Sequence, residues 1–233
     1  MVRSSLAIGN SGNGAELRAK RRDLLELAVA YGLILLVCWT PRPWQRVLWV
    51  VAAATVAVLT CLSFEGLKSM GLRRKNLLRS MWVVGAALLA AGAAMVLAGR
   101  MHTLRLPGGF VLFIATYAAY AIWAFVQQFL LQCFFLSRLL RLLPGAISAA
   151  LLAAFIFAAA HLPNPILTPI TLLWGFAACL LFLRYRNLYP LALAHAILGI
   201  AIAVTIPGPV VHNMRVGLGY LTYGHAHKQA PLP

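Results

Sequence analysis

The stretch 110-FVLFIATYAAYAIWAFVQQFLLQCFFL-136 decides the fold class of this chain, because its 27 residues include no Asp, Glu, Lys or Arg. A helix of that length is about 40 Å long, whereas the hydrocarbon layer of a membrane is ~30 Å thick. The run is continuous and does not alternate with a period of two. It therefore predicts a transmembrane helix that tilts or protrudes, and not a strand of a barrel.

Similar apolar runs lie on both sides of this stretch. The whole chain is 62% hydrophobic and 10% charged, whereas soluble domains contain about 25% charged residues. We predict an all-α, polytopic membrane protein with seven, or seven to eight, transmembrane helices. The predicted spans are 27–40, 47–64, 81–99, 110–136, 145–160, 166–183 and 188–206.

The net charge of +16 would suggest nucleic acid binding in a soluble protein. Here the basic residues lie mainly in short loops between spans, so we expect contact with membrane lipids and no nucleic acid partner. Their distribution predicts a cytoplasmic N-terminus in a bacterial cytoplasmic membrane. We divide the chain into a basic cytoplasmic segment (1–23), one membrane domain (24–206) and a C-terminal tail (207–233). The tail contains His225 and His227, a weak metal-binding pattern for which a solvated tail is the simpler interpretation.

The carboxylates are confined to the start of the chain. They are Glu16, Asp23, Glu26 and Glu65, and no Asp or Glu follows from residue 66 to residue 233. Any polar site in that later part must therefore use amides and imidazoles. The four cysteines lie in or beside apolar runs without metal-ligand spacing, which is typical of small buried side chains.

Three glutamines lie in the fourth predicted span. Gln128 and Gln132 are four residues apart and share a helix face, whereas Gln127 is rotated by about 100°. An amide in hydrocarbon costs several kcal/mol unless it is hydrogen-bonded. These side chains therefore either join neighbouring helices or line a cavity.

Two histidines occur near the glutamines in the predicted membrane domain. His161 precedes 162-LPNP-165, whose prolines end a helix, and it is either a capping residue or part of a cavity wall. His195 lies within the seventh predicted span, where an ionisable residue is a candidate for function. Counting along the helices places His161 deeper than Gln127 and His195, so the three converge only if the fifth span tilts or starts deeper.

The order of these motifs resembles the CPBP family of membrane endopeptidases, of the CAAX-processing and bacteriocin-immunity type. The family pattern is Glu-Glu-x-x-x-Arg, then Phe-x-x-x-His, then His-x-x-x-Asn or Asp. This chain has 127-QQFLLQ-132, 157-FAAAH-161 and 195-HAILG-199. Both histidines match, whereas the glutamates, the arginine and the final Asn are replaced. The resemblance extends over about residues 67–206.

The resemblance implies a CPBP-type helical bundle in which the first glutamate activates a water for attack on a peptide carbonyl. The histidines would position that water or a metal, and the Asn would help to hold the oxyanion. In this chain the catalytic positions are Gln127, Gln128, His161 and His195, and the supporting positions are Gln132, Asn164 and Gly199.

The substitutions bear directly on that mechanism. An amide is no base near pH 7, and general base catalysis is typically worth 10²–10⁴-fold. A zinc site needs three or four ligands, and only His161 and His195 are in place, so we expect no cofactor. The glutamates and the arginine are lost together, which is less damaging than the loss of one partner of a buried pair.

Three functions remain open. In the first, the chain is an endopeptidase that uses His161 or His195 as the base for peptide-bond hydrolysis in the membrane. Alternatively, it is a non-catalytic relative that binds a hydrophobic or prenylated peptide, a prenyl group or a lipid in the same cavity. The third alternative is a structural membrane subunit.

Overall fold

A computed structural model describes residues 4–64 and 66–223, with side chains from residue 14 onward. It confirms the predicted all-helical architecture, since the described residues contain helices and turns but no strand. Glu65, His225 and His227 lie outside the described residues. The helices are α1 (Ser4–Trp39), α2 (Arg42–Leu62), α3 (Leu77–Ser80), α4 (Trp82–Arg100), α5 (Phe110–Leu142), α6 (Ala146–Ala159), α7 (Leu167–Tyr185), α8 (Tyr189–Thr205), α9 (Gly208–Val211) and α10 (Gly217–Leu221).

The apolar helices make this an integral membrane protein. Judged by length and composition, four helical stretches in the described part of the chain are able to cross a membrane: Arg42–Leu62, Leu77–Arg100, Phe110–Leu142 and Leu167–Tyr185. Helices α6 and α8 are shorter but also apolar. Helix α1 is longer than its predicted span, because it starts at Ser4 and continues without a break to Trp39.

Helix α8 is the central element of the bundle. It packs between α4 and α5, and most of its residues are buried. Helices α6 and α7 form a second close pair. A Cβ at Gly175 of α7 would lie 3.4 Å from the Ala154 backbone of α6, so small residues allow these backbones to approach.

Helix α5 changes its winding in the centre of the protein. Residues Leu130–Leu136 adopt a π-helix between two α-helical parts, and five of these seven residues are buried. A π-helix is wider than an α-helix and is frequent at functional sites. In α5 it lies directly after Gln127 and Gln128, and it includes Gln132.

The connector between α2 and α3 holds the start of α8 in place. Gly71 adopts φ +71°, and its carbonyl accepts a hydrogen bond from the Leu188 N–H at 3.0 Å. Asn187 Nδ2 donates to the carbonyls of Arg73 and Lys75, at 2.8 and 3.0 Å. These bonds fix the turn that precedes α8 and hence the position of the helix that carries His195.

The two buried carboxylates of α1 pair with two arginines at the end of α5. Arg138 donates to Glu26 through Nη2 at 2.6 Å and through Nε at 2.8 Å. Arg141 forms a two-bond pair with Asp23, with both N···O distances at 2.8 Å. We call these four side chains the ion-pair cluster; it joins the first helix of the chain to the fifth.

The beginning of the predicted tail is folded against the bundle. The Gly217 N–H donates to the Leu162 carbonyl at 2.7 Å. Gly217 has φ +55°, and a Cβ at this position would collide with the Cys38 carbonyl of α1. The short helices α9 and α10 therefore close one side of the structure beside the 162–164 loop.

Candidate functional site

A cavity of about 410 Å³ lies among helices α1, α5, α6, α7 and α8 and the segment that follows α9. Its volume is within the range of small-molecule sites. Gln127, His161, His195 and Gly199 contribute to its wall, together with mostly apolar side chains that include Ile34, Leu130, Ile156, Leu198 and Ile202. The structure therefore brings both predicted histidines and one predicted glutamine to a single cavity, although counting along the helices had made this convergence uncertain.

A chain of two amides ends on the ring of His195. Gln132 Nε2 donates to Gln128 Oε1 at 3.2 Å, and Gln128 Nε2 lies 3.0 Å from His195 Nδ1. All three side chains are buried. Because Gln128 Oε1 accepts from Gln132, its Nε2 is the group that faces the ring, and it donates to His195 Nδ1. The proton of a neutral His195 is then on Nε2.

His161 carries its proton on the other ring nitrogen from that of His195. Its Nδ1 lies 2.7 Å from the Phe157 carbonyl oxygen, which can only accept a hydrogen bond. Nδ1 therefore carries the proton, and Nε2 of the neutral ring keeps its lone pair. The Phe157 ring makes edge-type contacts with both imidazoles, at centroid distances of 4.9 Å to His161 and 5.9 Å to His195. The Phe-x-x-x-His spacing thus places one aromatic ring against both histidines.

The three glutamines have different environments. Gln127 is half-buried and lines the cavity. Gln128 and Gln132 are fully buried behind the cavity wall. Gln132 Oε1 has no hydrogen-bond partner among the described residues. The three amides therefore divide into one that a ligand can reach and two that position His195.

Two of the predicted supporting residues, Asn164 and Gly199, are not placed as the family resemblance implies. Asn164 does not line the cavity: its Nδ2 donates to the Val211 and Arg215 carbonyls at 2.9 and 3.1 Å. Its Oδ1 accepts from the backbone N–H groups of Ile166 and Leu167. With both amide hydrogens engaged, Asn164 organises the loop before α7 and is not placed as an oxyanion donor.

Gly199 does line the cavity, but its missing side chain is replaced by another residue. A Cβ at Gly199 would overlap the hydroxyl of Tyr120 and lie 2.5 Å from the ring carbon Cζ. Tyr120 belongs to α5 and also lines the cavity. Tyr120 is not selected by the sequence analysis, because a tyrosine in an apolar run is typical of packing. Its spacing of seven residues from Gln127, which places both on one helix face, is the signal that could have identified it.

Among the described residues, no carboxylate lines the cavity with the histidines. Glu16 pairs with Lys20, Asp23 with Arg141 and Glu26 with Arg138. No group of three or more His, Cys, Asp or Glu side chains is found within residues 4–64 and 66–223. Two imidazoles alone do not supply the three protein ligands of a catalytic zinc site, so these residues do not fit such a metal.

Comparison with known proteins gives a match for the part of the chain that contributes most of the cavity wall. Residues 109–201 match the family model described as Type II CAAX prenyl endopeptidase Rce1-like. The matched segment includes all three motifs and extends from the start of α5 into α8. No curated protein and no solved structure gives a significant match to the chain.

Proposed function

We propose that this chain, of which residues 109–201 match a CAAX prenyl endopeptidase family model, is a CPBP relative that binds an apolar ligand in the cavity without cleaving it. The ligand is a hydrophobic or prenylated peptide, a prenyl group or a lipid that carries a neutral polar group. Binding, and not hydrolysis, is the activity for which the residues around the cavity are suited.

One observation carries this proposal: the cavity presents amide and imidazole groups, and every carboxylate of the described residues is paired elsewhere. Without a carboxylate the site has no strong anionic base and no attraction for a cationic group. Its polar atoms can nevertheless bind a neutral ligand, since His195 Nε2–H is a donor and His161 Nε2 is an acceptor. The remaining wall is mostly apolar, as in other small-molecule sites.

Filling the cavity tests the proposal. The full-length chain in lipid nanodiscs is titrated with S-farnesyl-cysteine methyl ester, and its stability to unfolding is measured. A ligand present at one hundred times its Kd stabilises a protein by about 2.7 kcal/mol. We expect saturable stabilisation that is lost in Ile202→Trp, since Ile202 lines the cavity.

Leu173→Trp is the matched control. Leu173 lies on α7, is 73% exposed and does not line the cavity, so this variant should bind as the natural chain does. Equal stabilisation of both tryptophan variants would show that the probe binds elsewhere. No saturable stabilisation of the natural chain would contradict the proposal.

Hydrolysis is the second candidate, and the lone pair on His161 Nε2 favours it. His161 lines the cavity, and its Nε2 makes no hydrogen bond within the described residues. If the chain is a peptidase, the purified protein should cleave a farnesylated peptide, and His161→Ala should abolish cleavage. Cleavage that survives both His161→Ala and His195→Ala would assign the activity to another protein in the preparation.

We further propose that the N-terminus faces the cytoplasm of a bacterial cytoplasmic membrane, with the ion-pair cluster at the cytoplasmic end. The excess of Lys and Arg in the corresponding loops supports this orientation. Labelling of a single cysteine introduced at Ser69, an exposed residue of the 66–79 connector, would test it. A membrane-impermeant thiol reagent should reach this cysteine only in inverted vesicles, once Cys61, the exposed natural cysteine, is replaced.

A further inference from the structure

The hydroxyl of Tyr120 occupies the place of a missing side chain in the cavity wall. Gly199 follows His195 by four residues on α8, so the two share a helix face. A Cβ at Gly199 would overlap the Tyr120 hydroxyl. The phenol therefore inserts from α5 to a point about one helical turn from His195, and it does so because residue 199 has no side chain.

This hydroxyl has no protein partner within the described residues. Two other tyrosines have a hydroxyl partner, since Tyr185 Oη accepts from Trp82 Nε1 at 3.2 Å and Tyr223 Oη accepts from Asn213 Nδ2 at 3.0 Å. A hydroxyl that a bound ligand covers without accepting or donating a hydrogen bond is unfavourable. Since Tyr120 lines the cavity, a molecule in the cavity is the partner that it can reach.

We propose that Tyr120 determines the ligand specificity of this cavity by donating a hydrogen bond to a carbonyl oxygen of the ligand. The inference rests on the proposed binding function and names the ligand class: an apolar chain that carries a neutral ester or amide carbonyl. Two donors, Tyr120 Oη–H and His195 Nε2–H, are located about one turn of α8 apart. A neutral acceptor group therefore fits this part of the wall better than an amine or a second donor.

Two probes of equal size test the inference. Methyl dodecanoate and pentadecane have the same number of heavy atoms, but only the ester has a carbonyl. The affinity of each is measured for the full-length chain in nanodiscs by competition with S-farnesyl-cysteine methyl ester. We expect the natural chain to prefer the ester by roughly 3- to 10-fold, the effect of about one hydrogen bond.

Tyr120→Phe removes one oxygen atom and keeps the ring. In this variant the preference for the ester should disappear, so that both probes bind with about equal affinity, while the affinity for pentadecane stays the same. Gly199→Ala should have the same effect, because its methyl group displaces the phenol, and the double variant should show no additional loss. Tyr117→Phe is the matched control on the same helix, since Tyr117 does not line this cavity; it should keep the preference.

The outcomes distinguish a failure of this inference from a failure of the proposed binding function. If both probes bind and Tyr120→Phe keeps the preference for the ester, Tyr120 is only a packing residue and the inference is wrong. If both bind the natural chain equally well, the inference is also wrong, but binding in the cavity stands. If neither probe competes and the farnesyl probe does not bind, the proposed function fails, and the inference fails with it.

Discussion

Helix α5 carries two polar regions that differ in charge and in purpose. The ion-pair cluster contains two carboxylates and two arginines, and its pairs have donor–acceptor distances of 2.6–2.8 Å. The second region, which we call the amide–imidazole network, consists of Gln128, Gln132 and His195 and is uncharged. Gln132 and Arg138 are separated by only six residues of the same helix.

The difference shows how this chain divides charged and neutral groups. The buried carboxylates join α1 to α5. Each pairs with an arginine, and neither lines the cavity. The neutral groups stand beside the cavity, where an unpaired charge would be costly. The two regions should therefore respond differently to substitution: loss of one partner leaves a charge in the first and only a neutral dipole in the second.

The largest effect is expected in the ion-pair cluster. Glu26→Leu leaves Arg138, which is only 2% exposed, without its carboxylate. Removing one partner of a buried pair typically destabilises a protein by about 3–5 kcal/mol. The free energy of unfolding, measured by SDS titration in mixed micelles, should fall by about this amount.

Two further variants make this test specific. Glu26→Leu combined with Arg138→Met should recover most of the lost stability, because a pair replaced by apolar groups is often neutral. Glu16→Gln breaks the exposed pair with Lys20 and should change stability by less than about 1 kcal/mol. A double variant as unstable as the single one would show that the ion pair is not the source of the effect.

A smaller effect is expected for Gln128→Leu in the amide–imidazole network. It leaves His195 Nδ1 and Gln132 Nε2 without their partner, at a cost of about 1–3 kcal/mol. The ¹⁵N chemical shifts of His195 should also change from a pure Nε2–H form to a mixture of tautomers. Gln127→Leu, one residue earlier and without this bond, should leave those shifts unchanged; an unchanged His195 tautomer in Gln128→Leu would contradict the assigned network.

The smallest effect is expected for Gln132→Met. Gln132 contributes one 3.2 Å hydrogen bond, but its Oε1 is buried without a partner among the described residues. The lost bond and the removed unpaired oxygen have opposite effects, so stability should change by less than about 1 kcal/mol. A loss as large as that of Gln128→Leu would indicate that Gln132 Oε1 has a partner, such as a buried water.

The sequence was sufficient for the all-helical membrane class and for the motif order. Apolar runs predicted helices because a membrane requires internally satisfied backbone over about 20 residues, but four stretches of the described residues, and not seven, are long and apolar enough to cross it. His161 and His195 could be selected because polar groups in or beside such runs are costly unless they have partners or a function. Their convergence could not be predicted, since it depends on the short α6 and on how it packs against α7.

Contacts between side chains of distant segments are harder to predict from the sequence. Asp23 and Glu26 are three residues apart, as are Arg138 and Arg141, and this matched spacing on two helices was a readable signal of pairing. The signal is weak by itself, because basic residues near the ends of spans are also typical of membrane topology. The role of Tyr120 was not predictable in the same way, because it depends on an atom that Gly199 lacks.

The π-helical stretch Leu130–Leu136 has a consequence for the evolution of the chain. A π-turn accommodates one residue more than an α-turn over the same rise, so deleting one residue would let α5 return to regular α-helix. The residues after the deletion would keep their direction, and Arg138 would still face Glu26, whereas a deletion in a regular part of α5 would turn everything after it by about 100°. A deletion of one residue should therefore be more acceptable within this stretch than in the regular parts of α5, and related chains should differ in length here more readily than elsewhere in the helix.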